Sequence, residues 1–181
     1  MSSRVIRGRS GSDFHLGSNT TPIEYIVESL DRLMTNDKVY SENELIIFAG
    51  DILHRLLTHP SKEAKMSRDW MTRAIDLGIK HHTTILSLEG TPMHDWKQSK
   101  FMLEFNNTRE QPADFHYAER VTIEYIESLD IHVLFVPDEA HDNCKLTEIA
   151  VMEQLKLHGI EQVDLTIIHG QFPHHFPPAV S

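Results

Sequence analysis

Three short apolar or β-branched runs, each closed by a nearby glycine, set most of what this chain can fold into. They are Leu45-Ile46-Ile47-Phe48-Ala49 before Gly50, Thr83 to Leu88 before Gly90, and Val163 to Ile168 before His169-Gly170. The first, wholly apolar, suits a strand buried inside a parallel sheet, and the other two read as further strands. The segments between them carry helical spacing. Thr21-Pro22-Ile23-Glu24 has the form of a capping box with Pro at the first helical position, and Ile23, Ile26, Val27, Leu30 and Leu33 follow it. That pattern predicts an amphipathic helix over 21–35. Ser61 to Leu77 reads as a second helix stopped by Gly78, and Lys145 to His158 as a third stopped by Gly159. Residues 120–136 fit two strands, because Val121, Ile123 and Tyr125 alternate and Leu129 to Val136 is apolar. A helix over 121–128 is the alternative. Alternation of strand and helix predicts an α/β domain with mainly parallel strands.

At 181 residues, with no internal repeat and no Gly/Ser linker, the chain fits one domain, 1–181. Lys and Arg number 17 against 27 Asp and Glu, a formal charge of −10. This argues against a basic nucleic-acid coat but leaves room for a site that holds cations, since such a site is itself acidic. The single cysteine, Cys144, has no internal partner, which points to a reducing, cytoplasmic compartment. No apolar stretch approaches the ~20 residues of a membrane span, and Met1-Ser-Ser-Arg4 lacks the apolar core of a secretory signal. Thirteen histidines are the unusual feature of the composition.

Where those histidines fall matters more than their number. Asp13 and His15, Asp51, His94 with Asp95, and His169 all lie in loops where strands should end, although Arg4 to Ser12, with three Arg and two Gly, makes a poor central strand before Asp13. Open α/β sheets bind ligands at the carboxyl ends of their strands, so four such loops predict a metal site. In Ser12-Asp13-Phe14-His15-Leu16-Gly17, an extended backbone would point Asp13 and His15 to the same side, although Asp13 could instead cap a turn. Asp51, after Gly50, is placed to bridge two cations or to cap a following helix. His54 reads as a structural histidine. His94 can supply a proton to a leaving oxygen while Asp95 orients its ring, and Asp95 can also cap a helix starting at Trp96. His169 comes directly off an apolar strand. His59, His81, His82, His116, His132, His141 and His158 read as ordinary surface or core residues, and His174 and His175 lie in a Pro-rich tail.

Asp-x-His, Gly-Asp, Gly-x-x-x-His-Asp and His-Gly, in this order, resemble the calcineurin-like metallophosphoesterase superfamily. Ser12-Asp-Phe-His-Leu-Gly17 and Gly50-Asp-Ile-Leu-His54 are most similar to the branch of double-strand-break repair exonucleases and their phage relatives. The resemblance spans about residues 12 to 170. It implies a four-layer α/β fold, two β-sheets between helices, with two divalent metal ions, Mn²⁺ foremost and Fe or Zn as alternatives. By matching motif, Asp13 and His15 would bind the first metal, Asp51 would bridge, and His169 would bind the second. His94 would be the proton donor, supported by Asp95. The third motif here has no Asn, with Thr91 near its place, and the family's closing Gly-His-x-His does not follow His169. A catalytic domain incomplete at its C-terminus is therefore expected, with His174 and His175 as the available replacements.

The function implied is metal-dependent phosphodiester hydrolysis of the nuclease type, with DNA as substrate and an ATPase subunit as the corresponding partner. A phosphomonoesterase or nucleotide phosphatase keeps the same chemistry and suits the negative charge better, because DNA affinity rests on Lys and Arg contacts to phosphate. An inactive fragment binding at most one metal is the non-enzymatic alternative.

Overall fold

A computed structural model describes residues 5–58, 60–138 and 144–170. Two sheets carry the fold. The first contains β1 (Gly8–Gly11), β2 (Leu45–Ala49), β3 (Thr84–Leu88) and β4 (Phe115–Ala118), in that spatial order and all parallel. β2 and β3, the two apolar runs, take the centre. Gly8-Arg9-Ser10-Gly11 takes the edge, where glycine and a charged side chain are tolerated because one side of the strand faces solvent. The second sheet contains β5 (Thr122–Ile126), β6 (Ile131–Val136) and β7 (Leu165–Ile168), with β5 antiparallel and β7 parallel to β6. Residues 120–136 thus form two strands, and the helical alternative for 121–128 is not what forms.

Six α-helices complete the described chain: α1 (Ile23–Leu33), α2 (Asp37–Glu42), α3 (Lys62–His81), α4 (Pro92–Asp95), α5 (Phe101–Asn107) and α6 (Cys144–His158). The expected cap of α1 and the expected stop of α3 both change. α1 starts after Pro22 without a side-chain cap, so the Thr21 box does not form. α3 starts after Ser61, whose side chain caps the Ala64 N–H, but it runs through Gly78 to His81. Its stop is His82, in the left-handed region at φ 53°, with its N–H on the Gly78 and Ile79 carbonyls. Gly78 is there for packing: a Cβ would come 2.7 Å from Ile85 Cδ1, so glycine lets α3 lie close on β3.

Strand alternation sorts the core. Ile46, Phe48 and Ile85 face α1, α2, α3 and α5, around the fully buried Trp70. Leu45, Ile47, Leu86 and Leu88 face the other way and meet Val133, Phe135 and Ile167 of the second sheet. The outer face of that sheet, through Ile123, Leu134 and Val136, packs on Val151 and Leu155 of α6. The two sheets therefore pack face to face, with helices on both outer sides. Among the described residues no helix is long and apolar enough to cross a membrane.

Candidate metal centre

The first two loops of the site are held by main-chain hydrogen bonds that continue the pairing of β1 with β2 after both strands have ended. Asp13 N–H donates to the Gly50 carbonyl (3.2 Å), His15 N–H to that of Asp51 (3.1 Å) and Leu16 N–H to that of Ile52 (2.9 Å). His54 N–H then donates to Leu16 O (3.0 Å), and Leu16 and Leu53 form a parallel bridge. Within this ladder Asp13, His15 and Asp51 all adopt left-handed backbone, at φ 55°, 49° and 50°. The extended geometry expected for Asp13 and His15 is thus replaced by tight left-handed turns. Such conformations cost a non-glycine residue on the order of 1–3 kcal/mol, and the paired loops hold them in place. Helix capping by Asp51 does not occur, since the next helix after it begins only at Lys62.

Asp51 is the centre of the arrangement and is only 4% exposed. Its Oδ1 accepts from Thr91 N–H (2.6 Å) and lies 3.3 Å from His169 Nε2. Its Oδ2 lies 3.3 Å from Thr91 Oγ1 and 3.8 Å from His94 Nδ1. Thr91 Oγ1 is also 3.5 Å from His169 Nε2, so the hydroxyl faces both Asp51 and His169. The His169 ring is oriented from behind: its Nδ1 is 2.7 Å from the Ala49 carbonyl, which assigns the proton to Nδ1 and leaves Nε2 toward Asp51. Glycine makes this closeness possible. A Cβ on Gly90 would come 2.1 Å from Asp51 N, and one on Gly50 would come 2.4 Å from His169 Cγ.

Burial alone would push the Asp51 carboxyl up, but His169, the Thr91 amide and His94 together outweigh it and hold it below its usual range. His169 is the counterpart. Burial disfavours its charged form, yet Asp51 and the Ala49 carbonyl raise it overall.

His94 and Asp95 divide their roles differently from the expectation. Asp95, fully buried, accepts main-chain N–H groups from Leu53 (2.8 Å) and Gly90 (2.9 Å). It clamps the second loop to the third rather than orienting the His94 ring, and burial raises its carboxyl. No helix starts at Trp96: α4 precedes it, and Trp96 and Lys97 turn left-handed at φ 48° and 59°. Buried Glu89 accepts the Lys97 N–H (2.9 Å) and the Tyr117 hydroxyl, fixing that turn.

Sequence reasoning missed His54. Its Nδ1 lies 3.2 Å from His15 Nδ1, and that same atom is 3.3 Å from His94 Nδ1. The β1–β2 register continues past the strand ends to pair Leu16 with Leu53, and His54, one residue further on, reaches His15. Burial and the neighbouring His15 and His94 lower the His54 ring below its ordinary value. Two donor groups result, Asp13, His15 and Asp51, and His15, His54 and His94, which share His15.

The remaining histidines do other work. His81 pairs with Asp37 (2.8 Å), His132 lies against Asp164 (4.0 Å), and His116 bridges Asp114 and Glu124. His158 ends α6. His59, His141, His174 and His175 lie outside the described residues. No family model matches the chain, and no curated protein matches it.

Proposed function

We propose that this chain is a metal-dependent phosphoesterase of the calcineurin-like type, hydrolysing phosphodiesters, with a nuclease activity on DNA as the favoured form. One observation carries the reading: a buried carboxylate, Asp51, gathered with Asp13 and His15 in one donor group and 3.3 Å from His169 Nε2. The donor set suits divalent cations. Two carboxylates and two imidazoles offer mixed oxygen and nitrogen ligands of the kind Mn²⁺, Fe and Zn accept. Asp13 and His15 would hold one ion, His169 the other, and Asp51 both. When bound, a metal pair of this kind polarises a phosphate and makes a water acidic enough to attack it at neutral pH.

The chain's own groups supply the rest. Thr91 N–H and the Ala49 carbonyl fix Asp51 and His169 before any substrate arrives. His94, with Nδ1 turned into the site, gives a proton to the departing oxygen. Asp95 keeps the His94 loop against the Asp51 loop. The nuclease form would work with an ATPase subunit. The formal charge of −10 favours a small phosphomonoester or nucleotide instead, and relative rates on the two substrate classes decide between them.

The test is hydrolysis of bis-nitrophenyl phosphate by purified protein with and without Mn²⁺. Activity should require the metal, and Asp51→Asn should remove nearly all of it, because an amide cannot supply the charge that holds two cations. Equal rates for the two proteins would overturn the reading.

A further inference from the structure

The group His15, His54 and His94 has a geometry of its own. His15 Nδ1 is 3.2 Å from His54 Nδ1 and 3.3 Å from His94 Nδ1. The three ring centres form a near-equilateral triangle, with sides of 5.1, 5.0 and 5.3 Å. Tetrahedral zinc with Zn–N bonds of about 2.0–2.1 Å sets its nitrogens about 3.3 Å apart and its imidazole centres about 5.2 Å apart. Hydrogen bonding explains the cluster less well. His15 Nδ1 faces two other Nδ1 atoms, and a neutral imidazole nitrogen carries either one proton or one lone pair. A cation at the centre satisfies all three lone pairs at once.

We propose that His15, His54 and His94 form a mononuclear zinc site, which shares His15 with the Asp51-centred ligands, and that Zn²⁺ bound there inhibits the enzyme. His15 Nε2 lies 3.8 Å from Asp13 Oδ1, the side from which a carboxylate steadies a zinc-bound imidazole. The His15 and His94 side chains are 29% and 35% exposed, so a cation can reach the cluster from solvent. Inhibition has two causes. Zinc occupies the His94 nitrogen that faces the site. It also takes His15 through Nδ1, and a neutral ring cannot bind a second cation through Nε2 without losing its remaining proton. The binding claim stands alone, whereas the inhibition rests on the function proposed above.

The experiment is a calorimetric titration of the metal-free full chain with Zn²⁺, with Co²⁺ as a spectroscopic stand-in whose visible absorption reports tetrahedral coordination. The tightest zinc is expected at this site, one per chain, and His54→Gln should weaken that binding by at least ~100-fold, the scale on which ligand-shell changes act. His94→Gln gives an independent second reading, and His82→Gln, at the α3 cap, should change nothing. Absent zinc binding, or equal affinity in wild type and both ligand variants, overturns the site. Mn²⁺-dependent hydrolysis is measured separately. Zinc binding that needs His54 in a protein without hydrolysis keeps the site and removes the phosphoesterase reading. Hydrolysis indifferent to zinc bound through His54 removes the inhibition alone.

Discussion

At Gly50 the φ angle of +87° and the His169 ring together exclude any side chain, since a Cβ would sit 2.4 Å from Cγ of that ring. Gly50→Ala should cost about 1 kcal/mol or more through the backbone alone. The larger effect is displacement of His169 from its 3.3 Å contact with Asp51. Mn²⁺ affinity should therefore fall further than the unfolding midpoint does, which parallel metal titration and urea unfolding would reveal. His94 makes a complementary case. In the proposed role of proton donor it is not needed to hold Mn²⁺, so His94→Gln should leave Mn²⁺ content nearly unchanged while slowing turnover roughly 10²–10⁴-fold. The loss should shrink for substrates with good leaving groups, whose oxygen departs without protonation. A uniform loss across substrates, together with lost Mn²⁺, would make His94 a ligand in place of the absent Asn.

Between elements, the strongest charge cluster is structural. His116 on β4 lies 3.0 Å from Asp114 and 2.9 Å from Glu124 on β5, so it ties the edge of the first sheet to the second. Burial opposes its charge, but the two carboxylates win and raise it to about 9. Asp114 is lowered to about 2, first by His116 and, against its own burial, by Ser128 and Thr84. A raised histidine contributes stability that is complete below its unfolded value of 6.5 and disappears as pH climbs toward 9. A lowered carboxyl contributes above its unfolded value of 3.8, and that part is lost as pH falls toward 2. Urea unfolding should thus show stability declining between pH 6.5 and 9 by on the order of 2 kcal/mol, and His116→Gln should flatten that slope. An unchanged slope in the variant would assign the decline to another group.

Over the whole molecule, the candidate site depends on how the two sheets pack. Asp13, His15, Asp51 and His94 follow strands of the first sheet, whereas His169 follows β7 of the second. Phe135, fully buried between the sheets, pairs in register with Ile167, two residues before His169. Phe135→Ala should cost about 3–5 kcal/mol from lost burial and the cavity left behind. Because β7 rests on β6, the same change should also weaken Mn²⁺ binding, while Trp70→Phe on the far side of the first sheet should lower stability with little effect on the metal. Equal effects of the two substitutions on Mn²⁺ would show that the sheets do not set the site.

The sequence by itself determined the elements whose pattern is long or wholly apolar. β2, β3, β6 and α3 were legible because burial on a fixed period leaves a mark in the order of residues. So were the loops carrying Asp51, His94 and His169, since strand ends and glycine punctuation locate them, whereas the edge strand before Asp13, Gly8-Arg9-Ser10-Gly11, has no apolar pattern to mark it. Short elements were not legible: α2, α4, α5 and β4 run four to seven residues, too few for a period, and packing on neighbours stabilises them. Only the tertiary structure decided which atom meets which. His54 joined His15 because two loops stay paired beyond their strands, and Asp95 turned to main-chain N–H groups because the third loop folds over the second. Residue order records what each segment buries, but a contact between side chains distant in sequence depends on the register of strands and the backbone turns that follow them, which no local pattern encodes.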